Sequence, residues 1–263
     1  MRCLNVLVAC EESQEVCKAF RELGHRAYSC DLEPCSGGHP EWHIQDDVTN
    51  YIYYSPYGVW FKTQAGKTNA LSCWDMILAF PPCSHLTVAG AKYFPQKRAD
   101  GRQRDAIEFF CKFLDANARY IAIENPVGVM SGDYVAAWYP DLCRKYGLPI
   151  KHNQIINPYQ FGHPVSKKTC LWLKGLPELV PTNVVVYEKI HSAGRTGGYS
   201  GNRWYVKDGD GKILRWNDPL TAKIRSKAYP GIANAMARQW SDYIAQVESG
   251  WCKRVNTEWH MEE

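Results

Sequence analysis

The feature that most constrains the fold is an alternation of short apolar runs with segments of helical spacing. The run 4-LNVLVAC-10 is typical of a buried strand, and 14-QEVCKAFRELG-24 spaces its apolar residues as one face of a helix does. A second strand-like run, 25-HRAYSCDL-32, follows and ends in an acid. A strand, a helix and a strand in this order predict a βαβ unit with parallel strands.

The same alternation continues along the chain. The continuous apolar run 74-WDMILAF-80 is expected of a strand covered on both faces. Residues 51–73 have no clear period and many aromatic side chains, which predicts an inserted loop or hairpin. The remaining elements are predicted as strands leading into 45-QDDV-48, at 119–125 and at 151–158, and as helices at 103–117, 133–147 and 230–247. This order predicts a Rossmann-like α/β fold, a mostly parallel sheet with helices on both faces.

Beyond Leu176 the composition changes to Gly, Pro and turn signals such as DGDGK. We therefore expect three parts. Residues 1–176 form the α/β domain, 177–222 a small β-rich or irregular appendage, and 223–263 a C-terminal helix that returns to the sheet.

Composition excludes several classes of protein. Hydrophobic residues make up 45% of the 263 residues and charged residues 22%, and no apolar run approaches the roughly 20 residues of a membrane helix. The first residues, MRCLNVLVACEE, lack the layout of a cleaved signal. The sequence predicts a cytoplasmic protein without a membrane segment.

The chain has eleven cysteines, an odd number, and no CxxC pair. Most of them are expected to be reduced, buried, small apolar residues. Neither the cysteines nor the histidines have the spacing of zinc ligands, so no metal is predicted.

Positive charge is concentrated late in the chain, although the net charge is only +4. Between His191 and Lys227 there are eight Lys and Arg against three Asp, interleaved with Tyr and Trp. This mixture suits a phosphate backbone and bases, and a plain solvated basic surface is an equal alternative.

Five polar groups follow the predicted strands. In open α/β sheets ligands bind outside the carboxyl ends of the strands, so these groups should converge on one cleft. They are 9-ACEES-13, 31-DLE-33, 46-DD-47, 80-FPPCS-84 and 124-ENP-126.

Asp31 ends the second strand, where an acid commonly accepts hydrogen bonds from a ribose, although it could also merely cap a turn. The first loop lacks the glycines that let a backbone approach a pyrophosphate. NAD and FAD are therefore disfavoured, and a nucleoside cofactor without a pyrophosphate remains allowed.

Cys83 differs from the other cysteines because two prolines precede it, at the end of a buried strand. Prolines fix the direction of the chain, and a thiol held rigidly in a cleft becomes a nucleophile when its thiolate is favoured. Glu124 ends another strand of the same cleft. A buried carboxylic acid beside a thiol can donate a proton to a ring that the thiolate attacks.

The order of PPC, ENP, 161-FGHPVSKKTCLWL-173 and PGIANA resembles the cytosine-5 DNA methyltransferases, and in detail their short, phage-encoded members. The family's proline-cysteine signature falls on Pro82-Cys83, its glutamate-asparagine signature on Glu124-Asn125, and its Gly-x-Pro segment on 162–164. The resemblance implies a fold like that of class I methyltransferases and a place in DNA modification, such as restriction-modification.

This resemblance implies a reaction. Cys83 would attack carbon 6 of a flipped-out cytosine, and Glu124 would contact ring nitrogen 3 and the exocyclic amine. Carbon 5 would then take a methyl group from S-adenosylmethionine. Flipping the base out of the duplex costs about a few kcal/mol, and contacts between basic residues and the phosphates can offset this cost.

The resemblance also assigns cofactor contacts. Asp31 would bind the ribose, with Leu32 beside it, and Asp47 would face the adenine, with Val48 beside it. Pro81 would shape the base pocket and Asn234 would close the methionine end. The first loop would complete this site with Cys10, Glu11, Glu12 and Ser13.

Two family patterns differ in this chain. Cys10, Glu12 and Ser13 replace glycines of the first loop, so the cofactor carboxylate needs another partner, for which a helix N-terminus capped by Ser13 is a candidate. The family's Gln-x-Arg-x-Arg is replaced by 165-VSKKT-169. Lys167 falls on the first Arg, a catalytic position, and Thr169 falls on the second, so the base contact expected there is either missing or supplied by Lys168.

The predicted substrate contacts complete the set of site residues. Near the thiol and the acid they are Pro82, Ser84, His85, Asn125, Pro126 and Lys168. Within the basic appendage they are Arg195, Arg203 and Arg215. His85 could instead be a plain polar residue of the cleft.

We therefore predict a monomeric DNA (cytosine-5) methyltransferase whose partner is DNA, in a bacterial host cytoplasm if it is phage-encoded. Two alternatives stay open. The same chemistry could act on a free nucleotide, RNA or a modified base, because the appendage is short. The chain could also be a non-catalytic DNA-binding protein on the same scaffold, because the first loop and the arginine pattern have changed.

Overall fold

The computed structural model describes residues 2–186, 219–255 and 258–259. Seven strands form one sheet and two form a separate hairpin. The strands are β1 (Asn5–Ala9), β2 (Arg26–Asp31), β3 (His43–Gln45), β4 (Val59–Lys62), β5 (Thr68–Leu71), β6 (Trp74–Ala79), β7 (Ala118–Pro126), β8 (Gln154–Ile156) and β9 (Thr169–Lys174). The order in the large sheet is β3-β2-β1-β6-β7-β9-β8. Its strands run parallel except for β9, which pairs antiparallel with both β7 and β8.

Helices cover both faces of this sheet. They are α1 (Glu15–Glu22), α2 (Phe94–Ala99), α3 (Arg102–Leu114), α4 (Tyr134–Trp138), α5 (Pro140–Tyr146), α6 (Pro219–Ser226) and α7 (Pro230–Glu248). Alternate strand residues face opposite ways, so the sheet carries two apolar layers. In one layer Val6 and Val8 pack with α1 and α7, and in the other Leu7 packs with α3 to α5. The predicted Rossmann-like α/β fold, a mostly parallel sheet with helices on both faces, is confirmed.

Several elements differ from the sequence predictions. The helix predicted over 133–147 is two helices, because Pro140 lacks the N–H that a helix interior needs and starts α5 as its first residue. The insertion at 51–73 contains the hairpin β4-β5, which is anchored by the buried ring of Phe61 against Tyr28 and Trp74. Strand β9 and helices α2 and α6 were not predicted. Most of the predicted appendage, residues 187–218, lies outside the described residues.

The reversed direction of β9 decides what reaches the carboxyl edge of the sheet. Because β9 is antiparallel, its first residue, Thr169, lies at the edge where the parallel strands end. After β9 the chain turns back, and Asn183 and Val185 donate backbone hydrogen bonds to Gln160 and Tyr159. The described chain thus returns beside the segment that precedes β9.

Within the described part of the chain, no helix is both long and apolar enough to cross a membrane.

Candidate active site

The carboxyl ends of β1, β2, β3, β6 and β7 meet at one edge because these strands are parallel. All five predicted polar groups lie at those ends, with Glu124, Asn125 and Pro126 as the last three residues of β7. The residues before β9 join them from the opposite chain direction. The edge therefore collects the first loop, two aspartates, the Cys83 turn, Glu124 and Lys167.

The turn that carries Cys83 is docked onto the loop after β7. The buried amide of Asn125 donates a hydrogen bond to the Pro81 carbonyl at 2.8 Å. Val129 N–H donates to the Leu86 carbonyl at 2.8 Å. A Cβ added to Gly128 would lie 2.1 Å from that same carbonyl oxygen, so the close approach requires a glycine. Pro81 is buried and Pro82 exposed, and the half-buried Cys83 follows them.

Charges from three other residues act on the Cys83 thiol. Burial raises the pKa of Cys83, and the carboxylate of Glu124 raises it further. Lys167 and Arg225 act in the opposite direction and lower it. One acidic group and two cationic groups therefore have opposite effects on the pKa of the thiol.

Glu124 is itself perturbed. Burial raises its pKa, while Lys167 and a hydrogen bond with the side chain of Thr169 lower it. The Lys167 ammonium also donates to the Arg225 backbone carbonyl at 3.3 Å, which ties α6 to this cluster. A carboxyl group with a raised pKa keeps its proton to higher pH, as a proton donor requires.

Arg225 and Thr169 are site residues that sequence reasoning missed. Arg225 was counted only as one of the basic residues of the late segment. It is half-buried on α6, and the Cys83 thiolate acts on its charge. The side chain of Thr169 forms a hydrogen bond with Glu124. Only the placement of α6 and β9 brings these two residues to the thiol.

The first loop has no glycine, yet two residues in this region have the positive φ angles that glycine usually adopts. Cys10 and Gln14 have φ angles of 59° and 60°, the left-handed region that side chains seldom occupy. Cys10 N–H donates to the Cys30 carbonyl at 2.7 Å. Burial, with the nearby charges of Asp31 and Asp47, raises the pKa of Cys10. Cys10 therefore lies beside both candidate cofactor aspartates.

The N-terminus of α1 is capped by Glu11, which corrects the suggestion that Ser13 caps it. The Glu11 carboxylate accepts from the N–H of Val16 at 2.6 Å and of Cys17 at 3.1 Å. Burial raises the pKa of Glu11 to about 8, although both N–H donors act against the rise. These two N–H groups are therefore occupied by the chain's own carboxylate. Ser13 is buried beside them.

The two aspartates predicted to contact a nucleoside have different surroundings. One Asp31 oxygen accepts from Glu33 N–H at 3.0 Å, and burial raises the pKa of Asp31. Asp47 accepts from Thr49 N–H at 2.9 Å and caps a short turn. Leu32 is exposed and Val48 is buried.

A buried acceptor accompanies these aspartates. The Oε2 atom of Glu12 is buried and has no hydrogen-bond partner among the described residues. The charge of Glu12 helps to raise the pKa of Asp31, so the two carboxylates are close. An acceptor of this kind suits the ammonium group of an amino-acid moiety.

The other predicted substrate contacts are scattered around the turn. Ser84 and Lys168 are exposed, and Pro126 is half-buried. Burial lowers the pKa of His85, and so do the charges of Lys97 and Arg102. His85 thus faces the junction of α2 and α3, and the charges that act on it are not those of the Cys83 cluster. Arg195, Arg203 and Arg215 lie outside the described residues.

The Gly-x-Pro segment holds the start of α7. The His163 ring accepts a hydrogen bond from Gly231 N–H at 2.9 Å. A Cβ on Gly231 would lie 1.8 Å from the Phe161 carbonyl oxygen, so only glycine permits this approach. Asn234, predicted to close the cofactor site, is exposed on the next turn of α7.

No group of three or more potential metal ligands occurs among the described residues.

Comparisons with known proteins give little. No protein-family model matches the chain, and no curated protein matches it. Among solved structures it is similar to a protein encoded within an E. coli prophage and named as a candidate DNA modification methyltransferase. The two are 13% identical over 65% of this chain and 46% of that one, with a TM-score of 0.38. The match thus spans less than half of that protein, and a likeness this low says nothing about activity.

Proposed function

We propose that the protein methylates carbon 5 of cytosine in DNA, with S-adenosylmethionine as the methyl donor. The observation that carries this proposal is the Cys83 thiol on a rigid turn beside Glu124, whose pKa burial raises. A nucleophile near a carboxyl group that keeps its proton to higher pH suits addition to an electron-poor ring.

Each residue of the cluster has its own role in the reaction. Cys83 Sγ forms a bond to carbon 6 while Glu124 gives its proton to ring nitrogen 3, which makes carbon 5 nucleophilic. After methyl transfer the proton on carbon 5 leaves to a base, the bond from carbon 6 to sulfur breaks to release the Cys83 thiolate, and ring nitrogen 3 returns its proton to Glu124. Lys167 and Arg225 favour the thiolate at both ends of the cycle.

The residues around the first loop fit S-adenosylmethionine. Asp31, with one oxygen engaged by Glu33 N–H, suits the ribose hydroxyls, and Asp47 and Val48 border the adenine position. The unpartnered Glu12 oxygen suits the ammonium group. When bound, S-adenosylmethionine supplies the methyl group. Because Glu11 occupies the N–H groups of α1, we assign the cofactor carboxylate to other donors.

DNA is the proposed substrate because the late segment is rich in Lys, Arg and aromatic residues. Arg195, Arg203 and Arg215 are its proposed contacts, and Ser84, His85, Asn125, Pro126 and Lys168 those nearer the flipped base.

The test uses DNA containing 5-fluorocytosine. Because fluorine takes the place of the carbon 5 proton that must leave, the reaction stops there and the covalent adduct accumulates. We expect an adduct that requires S-adenosylmethionine and disappears in Cys83→Ser. Cys73→Ser, a change at an exposed cysteine away from the cluster, should retain it. Methyl transfer to nucleotides or RNA alone would support the alternative substrate. Failure to bind S-adenosylmethionine would support the non-catalytic DNA-binding alternative.

A further inference from the structure

Lys97 is a buried lysine behind the nucleophile turn. It lies on α2, is only 8% exposed, and donates from Nζ to the Ser84 carbonyl at 2.6 Å. Ser84 directly follows Cys83. Gly90 provides the space, since a Cβ there would lie 3.1 Å from the Lys97 Nζ.

Every backbone carbonyl from Cys83 to Leu86 accepts a hydrogen bond. The Cys83 carbonyl accepts from the N–H groups of Leu86 and Thr87, both at 2.9 Å. The His85 carbonyl accepts from the fully buried amide of Gln103 at 3.2 Å. Leu86 is held by the loop after β7. Among these described contacts of the turn, the one from Lys97 comes from a charged donor.

A buried ammonium group opposite a neutral carbonyl is a costly way to hold a turn. Removing an ammonium group from water is unfavourable unless strong partners replace the water, and an apolar side chain of similar shape is often neutral or stabilising. A charged donor does, however, make a shorter and stronger hydrogen bond than a neutral one. Stability alone therefore does not account for a lysine here.

We propose that Lys97 is a positioning residue for Cys83: its ammonium group fixes the Ser84 carbonyl, and with it the turn that presents the thiol. The turn is then formed before any substrate arrives. The consequence for the reaction rests on the proposed function, whereas the effect on the thiol itself does not.

The first test is Lys97→Met, which keeps the aliphatic stem and lacks the terminal donor. Cys83 alkylation by iodoacetamide is followed by peptide mass spectrometry, with the exposed Cys73 as an internal reference. We expect the ratio of Cys83 to Cys73 alkylation to rise about threefold because the turn loosens. Adduct formation with 5-fluorocytosine DNA should fall about tenfold because the thiol is misplaced. The thermal midpoint should stay constant or rise.

Gly90→Ala gives a second perturbation, since its Cβ crowds the Lys97 ammonium group. We expect a smaller rise in the ratio of Cys83 to Cys73 alkylation. Adding Gly90→Ala to Lys97→Met should change the ratio no further. Gly132→Ala, where an added Cβ meets nothing within 4 Å, is the matched control.

The proposal is overturned if both the alkylation ratio and the adduct rate of Lys97→Met stay within about twofold of the native protein. It is also overturned if the decrease in adduct follows a lowered thermal midpoint. If the native protein forms no adduct, the proposed function fails, and the alkylation ratio still decides the role of Lys97.

Discussion

At the scale of single residues, the reactivity of Cys83 depends on charges that come from three different elements. Glu124 on β7 raises the pKa of Cys83, while Lys167 before β9 and Arg225 on α6 lower it. The balance between the acid and the two bases sets how much thiolate exists at a given pH. Substitutions on opposite sides of this balance should therefore have opposite effects.

We predict that Glu124→Gln lowers the pKa of Cys83, because it removes the carboxylate that disfavours the thiolate. The pH profile of Cys83 alkylation should move to lower pH. Adduct formation on DNA should slow by roughly 100-fold or more, because the proton donor is removed. Lys167→Met is the counterpart and should move the alkylation profile to higher pH. Parallel shifts in the two variants would contradict the assigned arrangement.

Glu11 predicts a pH dependence of stability. Its pKa is about 8 in the folded protein against an ordinary value of 4.5, so between these limits the folded state holds a proton that the unfolded state has released. The contribution of Glu11 to the free energy of unfolding therefore decreases as the pH rises from about 4.5 to about 8.

Urea unfolding of the native protein and of Glu11→Gln, measured from about pH 5 to pH 9, isolates this contribution. The native protein's free energy of unfolding minus that of the variant should fall by up to a few kcal/mol across the window and then level off. Glu15→Gln, on the same end of α1, is the control and should show no such trend. A difference that is flat with pH would refute the prediction.

At the scale of elements, the start of α7 depends on one glycine. We predict that Gly231→Ala destabilises the protein by about 2–3 kcal/mol, because the new Cβ would overlap the Phe161 carbonyl oxygen and displace the hydrogen bond to His163. Urea unfolding measures the change. Gly132→Ala, with open space around it, should change stability little, and equal effects of the two substitutions would exclude this explanation.

The elements also show how much of the fold the sequence predicts. Strands β1, β2, β6 and β7 were predictable because each is an apolar run that ends in polar residues, and their parallel order brings Cys83 and Glu124 to one edge. Strand β9 was not predicted, because its place between β7 and β8 depends on tertiary pairing with both strands, which its own short run does not encode.

The same distinction between local pattern and tertiary placement applies to individual site residues. Arg225 became visible only through the placement of α6. Lys97 gave no local signal, since lysines are seldom buried and its helix was not predicted. The Glu11 cap was missed because its two N–H partners, unlike those of an ordinary cap, lie five and six residues ahead.

At the scale of the whole molecule, the described residues on both sides of 187–218 lie near the candidate site. On one side Val185 N–H donates to the Tyr159 carbonyl, next to the segment before β9. On the other side Arg225 lies close enough to Cys83 for their charges to interact. Both described ends that flank the basic segment therefore lie near the proposed substrate site.

We predict that DNA affinity falls steeply with salt. Arg195→Ala, Arg203→Ala and Arg215→Ala should each reduce the slope of log K against log salt by about 1, because each variant binds one phosphate fewer. Fluorescence anisotropy with a labelled duplex at several salt concentrations measures this slope. Arg2→Ala is the control, because Arg2 pairs with Asp75 and Glu248 at the opposite edge of the sheet. Slopes that are unchanged in all three variants would rule out these residues as phosphate ligands.

The position of β9 has a consequence for how the protein is made. The ribosome produces β9 after β7 and β8, yet the strand lies between them. Until it emerges, β8 has no neighbour in the sheet, and Glu124 has neither Thr169 nor Lys167 beside it. We expect this edge to fold late, because β9, the strand that joins β8 to the sheet, is made after both of its neighbours. A prematurely terminated chain would therefore expose Cys83 without the residues that govern its reactivity.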